Sequence, residues 1–445
     1  MADKKKIEPG LAAGFRDFLP KDMIPRQKMF DSIRAVFERF GFVPLETPGL
    51  EREDILTGGD SNFRMQIFKT NVQTGWDALA LRFDLTVPLA RVVAQYQNEL
   101  KRPFKRYQIG RVWRAERPQA GRYREFTQFD ADIVGSNSMM ADAEIVAVMY
   151  SVMRELGIEN FKIRVNDRKI LNGLAEYAGF PKEKSTEVLR SIDKLDKQGW
   201  DAVAEELKTS GLTSEQTVAV RKFVELRGET SEETLSLVKE LMANSPLAQE
   251  GIKELGEVVS SAAALGVPND VWAVDLSVAR GLGYYTGPVF ETTLTDIPEI
   301  GSVFSGGRYD GLVERFGTLS IPATGASVGV DRLFVALEKL GKIKNEKTVA
   351  KAMVLNFDSK ATLYVQEVAT ELRNNGIPTE IYMGSEETLK AQLSFALNAE
   401  VPVIVIAGST EMESRTVQVK DVRSREQKSV DFAEISDKVK AVLSK

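Results

Sequence analysis

Between Arg111 and Gly135 the chain reads RVWRAERPQAGRYREFTQFDADIVG, two strand-like stretches joined by a loop and carrying Arg111, Arg114, Arg117, Arg122 and Arg124. A sheet face cannot bury so many guanidinium groups without a counter-charge, because an unpaired buried charge costs several kcal/mol or more. Phosphate suits the role. Guanidinium forks match phosphate oxygens two at a time, and Tyr123 or Phe126 offers a flat face to a base. A solvated hairpin of alternating charge has the same composition, so the segment alone leaves both readings open.

The remaining composition narrows the chemistry. Among 445 residues there is no cysteine and no histidine. Thiolate nucleophiles, disulfides, Cys/His zinc sites and every relay built on imidazole are therefore excluded. Carboxylates, Lys, Tyr, Arg and an oxygen-bound ion such as magnesium are left, an inventory that suits phosphoryl and nucleotidyl transfer. With 43% hydrophobic residues the chain can fill two or three domain cores. The opening MADKKKIEPG lacks the apolar stretch of a signal peptide, and no apolar run reaches membrane-spanning length, so a cytoplasmic protein without a membrane partner is expected. A net charge of −5 argues against indiscriminate nucleic-acid binding but leaves room for a local basic surface.

Met29, Ile33, Val36, Phe37 and Phe40 fall at helical spacing, with Gly41 as the stop. FVPLETP (Phe42 to Pro48) reads as an edge or interface strand, since proline removes a ladder donor. Leu79 to Phe83 reads as a strand, and Thr86 as the N-cap of a helix with Pro88 in its first turn. Ala141 to Leu156 has the pattern of an amphipathic helix. Residues 168–266 are rich in Lys, Glu, Leu and Ala with helical periodicity, which predicts an all-helical insertion. Beyond the charged linker Lys342 to Lys347, AMVLNF, IPTEIYM, VPVIVIAG and TVQVKD alternate with helical stretches, predicting an α/β domain with a largely parallel or mixed sheet.

Four further segments carry chemistry: LRFDLTVPLAR from Leu81, ARGLGYYTGPVFE from Ala279, SGGRYDGL from Ser305 and GASVGVDRL from Gly325. Each is a weak signal alone. Taken in order with the arginine hairpin, they resemble the class II aminoacyl-tRNA synthetases, and within them the histidyl-tRNA synthetase family, over nearly the whole chain. The resemblance implies an α+β fold. An antiparallel-sheet catalytic core would occupy residues 1–167 and 267–341, a helical insertion 168–266, and a C-terminal α/β anticodon-binding domain 348–445.

The resemblance also implies the reaction: histidine and ATP give histidyl-adenylate and pyrophosphate, and the acyl group passes to the 3′ end of tRNA(His). Arg114 matches the arginine on the α-phosphate and Arg332 the one on the γ-phosphate. Glu116 and Arg122 match contacts to the adenine side and the phosphates, and Phe126 the aromatic stacked on the base. Arg280 matches a catalytic arginine placed against the α-phosphate and the histidine carboxylate. Asp84, Thr86 and Gln128 match ammonium ligands, while Asp132, Tyr285 and Tyr309 match the imidazole pocket, with Tyr284 packing nearby. Magnesium is implied with ATP, its ligands not visible in the sequence. A homodimer paired through Phe42 to Pro48 is implied as well.

Plainer roles exist for each residue. Arg280 could sit in a surface salt bridge, Asp84 could merely start a helix, and the tyrosines could be half-buried core aromatics. Gly306, Gly307, Gly325 and Gly329 would let backbone approach a ligand closely, or could simply be turns or bulges. Two positions depart from the family pattern: Gly283, where an acidic or polar residue is common, and Thr127, where the residue is usually bulkier. An alternative function is a catalytically silent relative that senses histidine or uncharged tRNA; such relatives typically lose catalytic arginines or the C-terminal domain. A third reading is an RNA-binding module whose arginines serve only the phosphate backbone.

Overall fold

The computed structural model describes residues 7–58, 67–70, 78–117, 123–280, 284–317 and 320–444. Two units divide the chain: Met1–Arg16 with Met29–Lys342, and Asp17–Lys28 with Ile343–Lys445.

In the first unit the strands are β1 (Val43–Pro44), β2 (Leu50–Arg52), β3 (Leu79–Leu81), β4 (Phe104–Trp113), β5 (Glu125–Val134), β6 (Phe161–Asp167), β7 (Trp272–Val274), β8 (Pro288–Leu294), β9 (Phe304–Arg308) and β10 (Ala323–Gly329). Eight form one sheet in the order β1-β4-β5-β10-β9-β8-β6-β7, while β2 and β3 pair separately. The interior pairings are antiparallel, and only the outermost strands β1 and β7 join in parallel. The proline-bearing stretch after Phe42 thus becomes the edge strand expected of it, though only two residues long.

One face of this sheet is covered by the helix Pro20–Arg39 from Met29 onward. Met29, Ile33, Val36 and Phe37 are buried as their spacing requires, and Phe37 meets Phe129 edge-on at 5.0 Å. Each such aromatic contributes roughly 1.5–3 kcal/mol through its burial. Phe40 lies just past the helix, where Gly41 adopts φ +79°. The helix Met139–Glu155 is not amphipathic, since its buried residues fall all round it. The physical reason is a second cover: Pro246–Ala264 packs over it, as well as over Arg168–Ala178. Between β6 and β7 every described element is helical, in line with the sequence pattern.

The second unit holds β11 (Ala352–Leu355), β12 (Thr379–Ile381), β13 (Val403–Ile406), β14 (Thr416–Asp421) and β15 (Gln427–Asp431), ordered β12-β11-β13-β14-β15. Its first three strands are parallel, linked through the helices Thr362–Asn374 and Leu389–Asn398, and the last two are antiparallel. AMVL and VIVI are buried throughout because helices cover both faces of the central strands.

Candidate active site

Strand alternation builds the site. Gln128, Asp130 and Asp132 lie two apart on β5 and so share one face, opposite the face where Phe129 packs on the helix. In register, Asp132 stands beside Arg106 of β4 and Gly325 of β10, and Asp130 beside Gln108 and Ser327. Two cavities open on this face. A nucleotide-sized cleft of about 220 Å³ is lined by Arg114, Glu116, Phe126, Arg280, Asp331 and Arg332 among others. A more acidic slot of about 260 Å³ is lined by Asp84, Thr86, Asp130, Asp132, Tyr284, Tyr285 and Tyr309. Arg114, Gln128, Ser305 and Ser327 belong to both walls, so the two spaces adjoin.

In the cleft the cations come from three separate segments. Arg114 follows β4, donates through Nε to the Phe83 carbonyl at 3.3 Å, and places its guanidinium 5.0 Å over the Phe126 ring. Arg332 sits in the first turn of the helix Val330–Lys339 and donates to the Ser302 carbonyl at 2.5 Å. That helix is tied to β5 by Asp331, which accepts the Thr127 backbone N–H at 3.0 Å and pairs with Arg16 at 3.0 Å. The Thr127 bond uses only backbone, so the unusual side chain there leaves the anchor intact. Gly329, Asp331 and Arg332 place the N-terminal end of this helix on the cleft wall, a setting that favours anions.

Arg280 joins from the loop before β8. It donates to Glu291 at 2.5 Å, and its Nε lies 3.4 Å from Asp193 of the helical segment. Burial alone would lower its pKa, but Glu291 and Asp193 reverse the shift and hold the group charged. The salt bridge and the cleft-lining role therefore coexist at this residue.

The slot concentrates buried acids around a single deeply buried arginine. Arg106 lies 2.8 Å from Asp132 Oδ2, and Tyr309 donates its hydroxyl to Asp132 Oδ1. Burial pushes both Asp132 and Asp130 upward. Arg106 offsets much of this for Asp132, and Asp130, repelled by its neighbour, is pushed to about 7. Burial likewise pushes Asp84 to about 6, opposed by the Val87 N–H, Arg114 and Arg106. The half-buried Gln128 donates to Ser327 at 2.7 Å while its own inaccessible carbonyl oxygen has no partner. That oxygen and the acids make the slot a receptor for a small cation. Burial also raises the three tyrosines, which therefore remain neutral hydroxyls able to donate or accept.

Several expectations need correction. Thr86 begins the helix Thr86–Gln95 but does not cap it; the capping oxygen is Asp84 Oδ1, which accepts from Val87 N–H at 3.1 Å. Asp84 is thus a helix-start residue and a slot wall together. Of the five hairpin arginines, Arg111 pairs with Glu125 at 2.8 Å in solvent, and Arg124 donates to the Glu116 carbonyl at 3.0 Å. Only Arg114 and Arg117 among the described ones line the cleft. Arg122 and the departure at Gly283 lie outside the described residues. The glycines approach protein rather than ligand: a Cβ on Gly306 would fall 2.0 Å from the Gly325 carbonyl, and one on Gly325 2.0 Å from Asp132 Oδ1. Sequence reasoning missed Asp130, Arg106, Glu291 and Asp193. The alternation QFDAD would have pointed to Asp130, because its polar positions share one sheet face.

The large antiparallel-rich sheet with its helices has the fold of the class II aminoacyl-tRNA synthetases. Residues 14–333 match the family described as histidyl-tRNA synthetase, and residues 351–442 an anticodon binding domain. The chain is 42% identical to a histidine–tRNA ligase of Rhodopirellula baltica over 96% of both chains, and 42% identical to one of Wolinella succinogenes over 96% of this chain and 97% of that one. The crystal structure of histidyl-tRNA synthetase from Nostoc sp. PCC 7120 superposes with a TM-score of 0.87 at 32% identity, covering 98% of this chain and all of that one. The chain belongs to the histidyl-tRNA synthetase family.

Proposed function

We propose that this chain is a histidine–tRNA ligase, activating histidine with ATP in the cleft and slot and then passing the acyl group to the 3′ end of tRNA(His). The supporting observation is that Arg114, Arg280 and Arg332 line one cleft whose wall is shared with an acid-lined slot. In the first step a carboxylate oxygen of histidine attacks the α-phosphorus, the bond to the bridging oxygen breaks, and pyrophosphate leaves. The nucleophile is already an anion, so the attack needs no general base, consistent with a chain that has no histidine of its own. Stabilising the charge that builds on the α-phosphoryl oxygens is the main demand.

The proposed roles combine the family resemblance with the residues that line the cleft and slot. Arg114 and Arg280 neutralise the α-phosphoryl group, with Arg280 also against the substrate carboxylate, and Arg332 takes the γ-phosphate. Phe126 offers its ring to adenine, with Glu116 on that side; Arg122 is assigned to the same contacts by the family resemblance alone. Asp84, Thr86 and Gln128 receive the ammonium group; Asp132, Tyr284, Tyr285 and Tyr309 enclose the imidazole. Magnesium is implied with ATP and would be carried on its phosphates.

Residues 1–167 and 267–341 would form the catalytic core, 168–266 an insertion over the acceptor stem, and 348–445 the domain that holds the anticodon. Homodimer formation through the β1 edge is part of the same reading, supported by the 48% exposure of Val43 on that outermost strand. No helix among the described residues is long and apolar enough to cross a membrane, in keeping with a cytoplasmic enzyme. Histidine-dependent exchange of labelled pyrophosphate into ATP tests the function. Exchange is expected; histidine binding without exchange would make the chain a silent relative, and RNA binding alone a simple RNA-binding module.

A further inference from the structure

Residues 13–16 lie along the arginine hairpin beside the cleft. The Gly14 carbonyl accepts the Arg124 backbone N–H at 2.8 Å, and the Arg124 carbonyl in turn accepts the Arg114 N–H at 2.8 Å. Gly14 has φ +87°, and a Cβ there would fall 2.8 Å from Arg124 Cγ, which leaves room for glycine alone. Arg16 then reaches two parts of the cleft at once. Its guanidinium lies 4.4 Å from the centre of the Tyr123 ring and donates to the Tyr123 hydroxyl at 3.3 Å, while its Nη2 pairs with Asp331 Oδ1 at 3.0 Å. Tyr123 and Asp331 both line the cleft, and Arg16 backs them.

We propose that Arg16 is a positioning residue of the nucleotide cleft: it sets the separation between the hairpin, which carries Arg114 and Glu116, and the helix that carries Arg332. This rests on the reading of the cleft as the ATP site. Asp331 directly precedes Arg332, and its second oxygen accepts the Thr127 N–H of β5 at 3.0 Å, so it already joins helix to sheet. Through Arg16 the same carboxylate is tied to Tyr123, just before β5, and the ties close a ring of contacts around that edge of the cleft. A guanidinium suits the place because it is a planar fork, able to lie against a ring and pair with a carboxylate together; an ammonium group offers only a point charge. The side chains of Arg16 and Asp331 are 28% and 13% exposed, so the pair adds little to stability. Its consequence is geometric. Cations that must meet different phosphates of one nucleotide depend on their spacing. The described wall of the slot includes neither Tyr123 nor Asp331, so the amino acid side is insulated from this tie.

The test is pyrophosphate exchange by the full chain, with ATP varied at saturating histidine and histidine varied at saturating ATP. Arg16→Met keeps an unbranched stem and removes the fork. It is expected to raise KM for ATP about threefold to thirtyfold, the range for losing a partly exposed hydrogen bond between charged groups, with KM for histidine unchanged. A merely structural defect would not produce that split. Arg16→Lys, which keeps a charge opposite Asp331, is expected to show a smaller rise in the same parameter, and it carries the test should Arg16→Met not fold. Asp331→Asn should raise KM for ATP as well, and Arg16→Met should add little to it, because both cut the same tie. An unchanged KM for ATP, an equal rise in both KM values, or fully additive losses in the double variant would overturn the assignment. Absence of exchange in the unmodified enzyme would instead remove the functional reading beneath it.

Discussion

Arg280 holds its guanidinium on Glu291, a carboxylate 3% exposed, at 2.5 Å. Glu291 is also 3.6 Å from Arg164, which pairs with Asp275 at 2.8 Å and with Asp196 of the helical segment at 2.5 Å. The arginine proposed to act on the reacting phosphate is therefore aimed by a buried network, part of which belongs to the inserted helices. Removing the charge of Glu291 frees Arg280 to wander without removing its own charge. Misplacement of a charged donor by about 1 Å can cost on the order of a hundredfold in rate. Glu291→Gln is expected to lower kcat for pyrophosphate exchange by roughly tenfold to a hundredfold while changing KM for ATP less. A rise in KM alone, with kcat unchanged, would place Glu291 in binding instead.

Asp193, which meets the same guanidinium at 3.4 Å, is a third exposed. Exposed pairs contribute roughly 0–1 kcal/mol, so Asp193→Asn should change exchange only a few-fold. Rapid-quench measurement of adenylate formation checks this. A loss as large as that of Glu291→Gln would mean that the insertion positions Arg280 as strongly as the core does.

The close approach of Gly325 to Asp132 has its own consequence. A Cβ at Gly325 would fall 2.0 Å from Oδ1 and 2.8 Å from the Ala131 carbonyl, contacts that require backbone to move. Overpacking of this kind costs about 1–3 kcal/mol. Gly325→Ala is expected to lower the denaturation midpoint and to weaken histidine binding, since the displaced carboxylate carries Tyr309 with it. Calorimetric titration with histidine, beside a denaturant melt, reads both. An unaltered midpoint would show that the strands yield more readily than the spacing implies.

The slot acids also make a statement about pH. Asp130 is pushed from 3.8 to about 7, so the folded chain keeps a proton there that the unfolded chain has released. Stability from this group is largest at low pH and is lost as pH rises from about 4 to about 7. Between pH 5.5 and 7.5 the loss is on the order of 1–2 kcal/mol. Asp130→Asn, which has no proton to lose, should show a flatter dependence than the parent chain over that window in urea unfolding without ligand. Parallel curves would contradict the raised value.

Much of this was written in residue order. Helical spacing located the buried stripe of Met29, Ile33, Val36 and Phe37, and apolar runs marked AMVL and VIVI as strands. The segments holding Arg114, Arg280 and Arg332 were visible as motifs, and all three residues line the one cleft. What stayed hidden depends on register. That Asp132 faces Arg106, or that Gly325 makes room for a carboxylate rather than a ligand, follows from strand pairing across some twenty to two hundred residues, which no local pattern encodes. The burial of Met139–Glu155 on several sides was equally illegible, because the covering helix Pro246–Ala264 lies far away in sequence. The Glu291 and Asp193 partners of Arg280 belong to the same class of long-range contact.

The account turns on Arg280 acting at the reacting phosphoryl group, and Arg280→Ala tests it most directly. Histidine-dependent pyrophosphate exchange and calorimetric binding of ATP and histidine are measured on the same preparation. Loss of a donor preorganised for the transition state costs roughly a hundredfold to a thousandfold or more in kcat, and binding of both substrates should change only a few-fold. Near-normal exchange by the variant would contradict the account.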